Sequence, residues 1–258
     1  MFSLNTIKQD FELVTTMTKA TIKSRYRKTF AGFLWVILNP ILTFSVQAVI
    51  FSHILKINMD NYFLFLLSGV IPWIFITTTI TMTVGTYVAS RPILMSFKLD
   101  PRILVLAQAI DNFFTFLVAF SILLIMNHDI NVLSNLKIPM FILATIALTI
   151  GVFFISAMLA TIHVFMRDTQ FIVQFGLNLL YFITPVFYPK ELVPSKYQWA
   201  IDFNPIYILI KPFQSIFWKY DPGLFLEDYL KAVALLAIII IVNIVYWRRK
   251  KDALYFKI

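Results

Sequence analysis

The sequence predicts an all-α integral membrane fold. It should have six transmembrane helices, an N-terminal amphipathic helix at the membrane surface, and re-entrant helices between the fifth and sixth spans. Three observations carry this. The first is composition. Of 258 residues, 60% are hydrophobic and 17% aromatic, only 14% are charged, and the mean hydropathy is +0.82. Soluble domains run near 45–50% apolar and about 25% charged, so a soluble fold could not hide this much apolar surface. The second is a series of charge-free stretches. The third is an uneven distribution of lysine and arginine.

The charge-free stretches set the spans. No Asp, Glu, Lys or Arg occurs for 27 residues after Lys28, 30 after Asp60, 29 after Lys137, 21 after Asp168 and 16 after Lys231. Between Arg102 and Asp129 the one charge is Asp111. A transmembrane helix needs about 20 apolar residues. The spans are therefore placed at about 33–55, 62–88, 104–126, 139–165, 170–188 and 229–247 of a single transmembrane domain, 1–258. With the N-terminus inside, the cytoplasmic pieces hold 15 Lys and Arg and the outer pieces 7. The positive-inside rule then puts both termini in the cytoplasm. It also accounts for the net charge of +9 without nucleic acid as a partner. No cleavable signal peptide is expected, since the first twenty residues lack an apolar run and a small-residue cleavage site.

Two regions differ from spans and ordinary loops. Residues 2–22 place Leu4, Ile7, Phe11, Val14, Met17 and Ile22 at intervals of three to five, with charges between them. That is an amphipathic helix, fitted either to the inner membrane surface or to a partner protein. Residues 189–228 hold apolar pieces, 203–210 and 212–218, split by Asn204-Pro205 and Lys211-Pro212. Each is too short to cross, which suggests re-entrant helices covered by protein or lining a water cavity.

Prolines and polar groups mark further points. Pro72 with Gly69, and Pro185, are expected to kink or end their helices. Asn39-Pro40 either kinks the first span or starts it, with Asn39 as cap. Pro92 and Pro101 bracket a short helix able to project from the membrane, either a connector or a docking knob. Asp111 is the one acid inside a span and must be paired, protonated or wetted. Its readings are a polar contact between helices, with His163 as a possible partner, a place in a hydrated conduit, or a proton relay. Tyr and Trp at span ends (Trp35, Tyr62, Tyr188, Trp218, Trp247) suit an interfacial belt, or alternatively a surface that stacks on sugar rings.

Several chemistries lack their residues. There is no cysteine, hence no disulfide, thiol catalysis or cysteine metal site. GxxxxGK[ST], HExxH and GxSxG are absent, so this chain has no phosphate loop with which to hydrolyse ATP.

Five stretches, in order, carry a resemblance: RYRKTFAGFLWVILNP, GVIPWIF, MRDTQ, FITPVFYPKELVP and DFNPIYILIKPFQSIFW. Together they resemble the ABC-2 family of ABC-transporter permeases, specifically exporters of lipid-linked polysaccharide of O-antigen, capsule or teichoic acid type. Two departures stand out: Asp100 before Pro101 where an aromatic is common, and Gln214 where the family usually has arginine. The resemblance implies a half-transporter in the bacterial cytoplasmic (inner) membrane. A second copy of the chain completes the pore, and two separate ATPase subunits bind ATP and Mg. No cofactor is bound by this chain. The substrate is a lipid-linked glycan, and membrane lipid surrounds the chain. ATPase coupling falls to the N-terminal helix and to Pro92, Lys98, Asp100, Pro101 and Arg102, and the outer gate to 189–228. Conduit or gate candidates are Trp35, Trp73, Asp111, Tyr181, Phe187, Tyr188, Tyr207 and Phe213. Arg25, Arg27 and Lys28, at inner-leaflet depth, either hold the glycan's lipid phosphate or anchor the chain to anionic lipid. A drug exporter on the same fold is the alternative cargo. A membrane-embedded glycosyl- or acyltransferase is the remote one, and would need facing carboxylates or histidines at one interface.

Overall fold

The computed structural model describes residues 4–26, 61–97, 99–126, 137–218 and 220–257, with isolated residues between 34 and 50. The first span as a unit, the Asn39-Pro40 break, Arg27, Lys28 and Lys98 lie outside the described residues. The described residues are all-helical. In order they form α1 (Leu4–Tyr26), α2 (Tyr62–Thr83), α3 (Thr86–Ala89), α4 (Arg91–Phe97), α5 (Arg102–Met126), α6 (Lys137–Phe165), α7 (Thr169–Ile183), a 3₁₀ turn (Lys190–Leu192), α8 (Ser195–Asp202), α9 (Pro205–Phe217) and α10 (Pro222–Lys257). Among the described residues, four stretches are long and apolar enough to cross a membrane: Tyr62–Ala89, Arg102–Ile125, Lys137–Phe165 and Pro222–Leu254.

Asx-Pro pairs set where helices begin. Asn204 accepts hydrogen bonds from the Ile206 and Tyr207 amides at 3.0 and 3.3 Å, with Pro205 in the first turn of α9. Asp221 does the same for Gly223 and Leu224 at 2.7 and 3.3 Å, ahead of Pro222. Asp100, ahead of Pro101, accepts from the Arg102 amide at 2.9 Å. Each side chain satisfies amides that the first helical turn leaves unpaired, and proline there has no N–H to lose.

Several expected boundaries move. The helix expected as a fifth span ends at Ile183 rather than 188, because Pro185 biases Thr184 to extended backbone (φ −80°, ψ 126°). That leaves 15 residues, about 22 Å of helix. The Asp221 cap starts α10 at Pro222, so residues 222–228 belong to it and not to a separate re-entrant stretch. Its 36 residues span about 54 Å, well beyond an apolar layer of about 30 Å. Pro212 does not split its region, since Pro205–Phe217 is one helix. The lost backbone bond is offset by near-complete burial, with Ile210, Phe213 and Ile216 fully enclosed. Pro72 likewise sits inside a continuous α2, and the break comes at Val84-Gly85.

Two cores result. The larger joins α2, α5, α6, α9 and the 184–188 loop around a cluster of phenylalanines. Phe120 meets Phe116, Phe141, Phe213 and Phe217 at centroid distances of 4.9, 5.0, 5.6 and 5.4 Å. In lipid, apolar burial gives helices little reason to associate, so such ring contacts, worth about 0.5–1.5 kcal/mol each, carry weight. The smaller core joins Tyr87, Leu94, Leu104, Val105, Ala157, Ala160, Val164 and Leu254. Against it α1 lies on α5. Val14 and Thr18 are buried there, and Thr18 Oγ1 donates to the Ala107 carbonyl at 3.4 Å. Part of the amphipathic face of α1 is therefore covered by its own chain.

Candidate functional site

Polar groups inside the apolar helices converge at one cleft. On α2, Trp73, Thr77 and Thr81 recur every four residues. On α7, Gln174, Asn178 and Tyr181 face them across a hollow of about 210 Å³. Spacings of three and four stack side chains on one helix face. Trp73 and Tyr181 meet edge to face at 5.8 Å, and Tyr181 meets the Phe187 ring at 4.6 Å. An adjacent face of α7 presents Phe171, Phe175 and Phe182 outward. Amides and hydroxyls here can donate and accept while the rings supply apolar faces, which suits a wall against a polyhydroxylated substrate. Sequence reasoning named Trp73 and Tyr181 and missed Thr77, Thr81, Gln174 and Asn178. The four-residue spacing within two apolar segments was the available signal.

The 184–188 loop is laced to its surroundings by hydrogen bonds. The Tyr62 hydroxyl donates to the Phe187 carbonyl at 2.9 Å, and Asn204 Nδ2 to Thr184 Oγ1 at 2.8 Å. Gln214 Nε2 lies 3.4 Å from the Pro185 carbonyl. Gly69 makes room for that approach, since a Cβ there would sit 2.8 Å from Gln214 Nε2 and 3.3 Å from Val186 Cγ1. Tyr188 donates to the Phe182 carbonyl at 2.9 Å, and burial pushes its phenol up, so it keeps its proton. Phe187 is buried, and Phe213 is fully enclosed by rings of the same chain. Both pack in the larger core. Tyr62, expected in an interfacial belt, is also buried, and Trp218 packs on Phe65 at 4.8 Å.

Beyond this loop, Lys190, the end of α8, α9 and the start of α10 line a second hollow of about 180 Å³ with charged side chains. Tyr207 lines it and is 5% exposed. Burial first, then the carboxylates of Asp228, Glu191 and Asp202, hold its phenol above the ordinary value.

At the other end, α4 carries exposed Arg91, Pro92, Ile93 and Met95, while Leu94 is pinned in the smaller core. Pro92 lies in the first turn of α4 instead of before it, and Asp100-Pro101 opens α5. Asp100 holds Arg102 with two oxygens at 2.6 to 3.0 Å, and the Arg102 guanidinium lies 4.6 Å from the Trp247 ring. Trp247, expected in an interfacial belt, is thus engaged by a cation. Asp111 is 2% exposed in α5 and accepts from Gln108 Nε2 at 3.4 Å. Its neighbour Asn112 donates to Thr79 Oγ1 at 3.2 Å. His163 is buried in α6, and its Nδ1 has no hydrogen-bond partner among the described residues. Trp35 is 41% exposed. Arg25 lies in the last turn of α1. A cleft of about 390 Å³ opens between α1, α3 and α5, lined by Met17, Thr21, Ser90 and Gln108 among others. Among the described residues no group of three or more His, Cys, Asp or Glu could hold a metal ion.

Long apolar helices, one of which, α2, turns polar and aromatic side chains toward the shorter α7, define a multi-pass membrane domain. The model of the ABC-2 type transporter family matches residues 12–218, and the chain belongs to that family. It is similar to two O-antigen export system permease proteins RfbA of Klebsiella pneumoniae. Each is 25% identical, one over 80% of both chains, the other over 88% of this chain and 91% of the relative. A protein of the same name from Myxococcus xanthus is 27% identical over 81% of both chains. The polysialic acid transport protein KpsM of Escherichia coli is 22% identical over 72% of this chain and 73% of its own.

Proposed function

We propose that the chain is the membrane permease subunit of an ATP-driven exporter of lipid-linked polysaccharide, of O-antigen, capsule or teichoic acid type, across the bacterial inner membrane. The observation that carries this is agreement among relatives from three bacteria, each aligned over most of its length and named for O-antigen export or polysialic acid transport. The polar and aromatic α2–α7 cleft is consistent with such a cargo.

In this reading the chain makes six passes, α7 being the fifth, with both termini in the cytoplasm. Two copies form the pore. Two copies of a separate ATPase bind ATP and Mg and push through α1 and the α4–α5 corner around Asp100 and Arg102. The 3₁₀ turn, α8 and α9 form a re-entrant outer gate. Burial of α9 by α2, α6 and α10 supports that role, because backbone at membrane depth needs protein cover. Arg25, Arg27 and Lys28 bind the phosphate of the lipid carrier at the inner leaflet through charge-assisted hydrogen bonds.

The test is a strain lacking the chain. Its surface polysaccharide should disappear while lipid-linked glycan accumulates inside, and the affinity-tagged chain should restore export and co-purify with an ATPase. Unchanged surface polysaccharide in the deletion strain would overturn the reading. For the phosphate role, Arg25→Ala/Arg27→Ala cells should insert the protein normally yet export at least about tenfold less. Normal export would reduce these cations to topological anchors.

A further inference from the structure

The hollow between Lys190, the end of α8, α9 and the start of α10 has features that a gate helix does not require. Three ammoniums, Lys190, Lys211 and Lys231, share it with Asp202, Asp228 and the Tyr207 phenol. Charge is balanced locally. Lys190 pairs with Asp202 at 2.5 Å, and Lys231 with Glu227 at 2.5 Å. The Ser215 hydroxyl donates to Asp228. Lys211 has no carboxylate within ion-pair distance among the described residues, and its ammonium lies 5.8 Å from the Tyr207 ring. Tyr207 lines the hollow and is 5% exposed overall. Its hydroxyl can both donate and accept, so a ligand that enters the hollow can bond to it.

The lining decides the class of ligand. Three ammoniums disfavour a metal cation. Carboxylates of Asp202 and Asp228, with Glu227 a turn away, disfavour a phosphate. Ammoniums only donate, ionised carboxylates only accept, and a phenol does both. A ligand that satisfies all three kinds must carry several groups that both donate and accept. A neutral sugar has that chemistry on each carbon.

We propose that this hollow is a binding site for one neutral glycosyl unit, held by the Tyr207 hydroxyl, Lys211 and the Asp202 and Asp228 carboxylates. The proposal rests on the polysaccharide-exporter reading and deepens it. A site for one sugar unit beside the gate helices gives the permease a means to recognise its own polymer, independent of any recognition by the ATPase.

The full chain in lipid nanodiscs tests this. Binding of D-mannose, D-galactose, L-rhamnose and N-acetyl-D-glucosamine is followed by saturation-transfer NMR, with D-glucuronate and inorganic phosphate as charged counterparts. At least one neutral sugar should bind, more tightly than either anion. Tyr207→Phe should weaken that binding about tenfold, as expected for one lost hydrogen bond to a buried group. Lys211→Met should do the same. Tyr220→Phe removes a buried phenol outside the hollow and should leave binding unchanged. Should Lys211→Met fail to fold, Tyr207→Phe, which alters no shape, still decides. Tighter binding of an anion, equal binding by Tyr207→Phe, or no sugar binding at all (a water-filled hollow only) would each overturn the proposal. The deletion strain separates the two readings. Loss of export with no sugar binding sinks the site alone, whereas unchanged export sinks the exporter reading whatever the sugars do.

Discussion

The two cores solve the same problem with different materials. The larger, around Phe120 and Phe213, fills space with rings and ties the 184–188 loop by side chains that reach backbone carbonyls. The smaller, around Tyr87 and Leu94, brings helices close through Ala157 and Ala160 and seals α4 with Leu254 from the far end of the chain. Interlocked rings resist displacement, because moving one opens a void beside several others. A corner held by one leucine, small residues and a part-exposed ion pair can shift at lower cost. In the exporter reading proposed above, the outer gate must stay shut and the ATPase-coupling corner must move, which calls for those different properties.

The comparison can be broken most forcefully at Phe120. Phe120→Ala removes the ring touching four others and should cost about 3–5 kcal/mol, read as a lower thermal unfolding midpoint in detergent. A loss below about 1 kcal/mol would mean that the rings do not interlock. Leu94→Ala should cost less, about 2–3 kcal/mol, because α4 is short and can settle toward the void. It should depress export more than its stability loss explains, and export that merely tracks the melting midpoint would remove the lever role. Asn204→Ala deletes the cap of α9 and the bond to Thr184, an expected loss of about 1–2 kcal/mol. Asn204→Asp, which keeps the cap acceptor, should recover most of it. The smallest effect belongs to Asp100→Asn. It keeps an acceptor for the Arg102 amide and gives up a part-exposed ion pair, so stability should change by less than about 1 kcal/mol. A larger change would show that the α4–α5 corner is as rigid as the aromatic core.

Much of this was legible along the chain. Charge-free stretches located the helices from Tyr62, Arg102 and Lys137 to within a few residues, because lipid tolerates few charges in a span. Asn204-Pro205 and Pro185 marked real ends, since their effects act within one or two residues. Pro212 misled, because burial by three other helices outweighed a local cost that proline imposes in any context. Asp221-Pro222 was a cap of the same kind as Asn204-Pro205 and was passed over, which made α10 too short on paper. The cleft was half visible. Its aromatics stood out by type, whereas Thr77, Thr81, Gln174 and Asn178 mattered only by their helical phase.

By itself the sequence determined that this is a helical membrane protein, where its long apolar helices run, and which family it belongs to. Those follow from composition, the spacing of charges and motifs in order, all of which are local. Only the tertiary structure decided that Phe213 packs in the core while Trp73 and Tyr181 border a cleft, that Leu254 closes the core under α4, and that Tyr207 and Lys211 share a hollow with Asp202 and Asp228. These groups lie up to 160 residues apart in the chain, as Leu94 and Leu254 do. No periodicity specifies which faces meet, and that choice belongs to packing and hydrogen-bond satisfaction over the whole bundle.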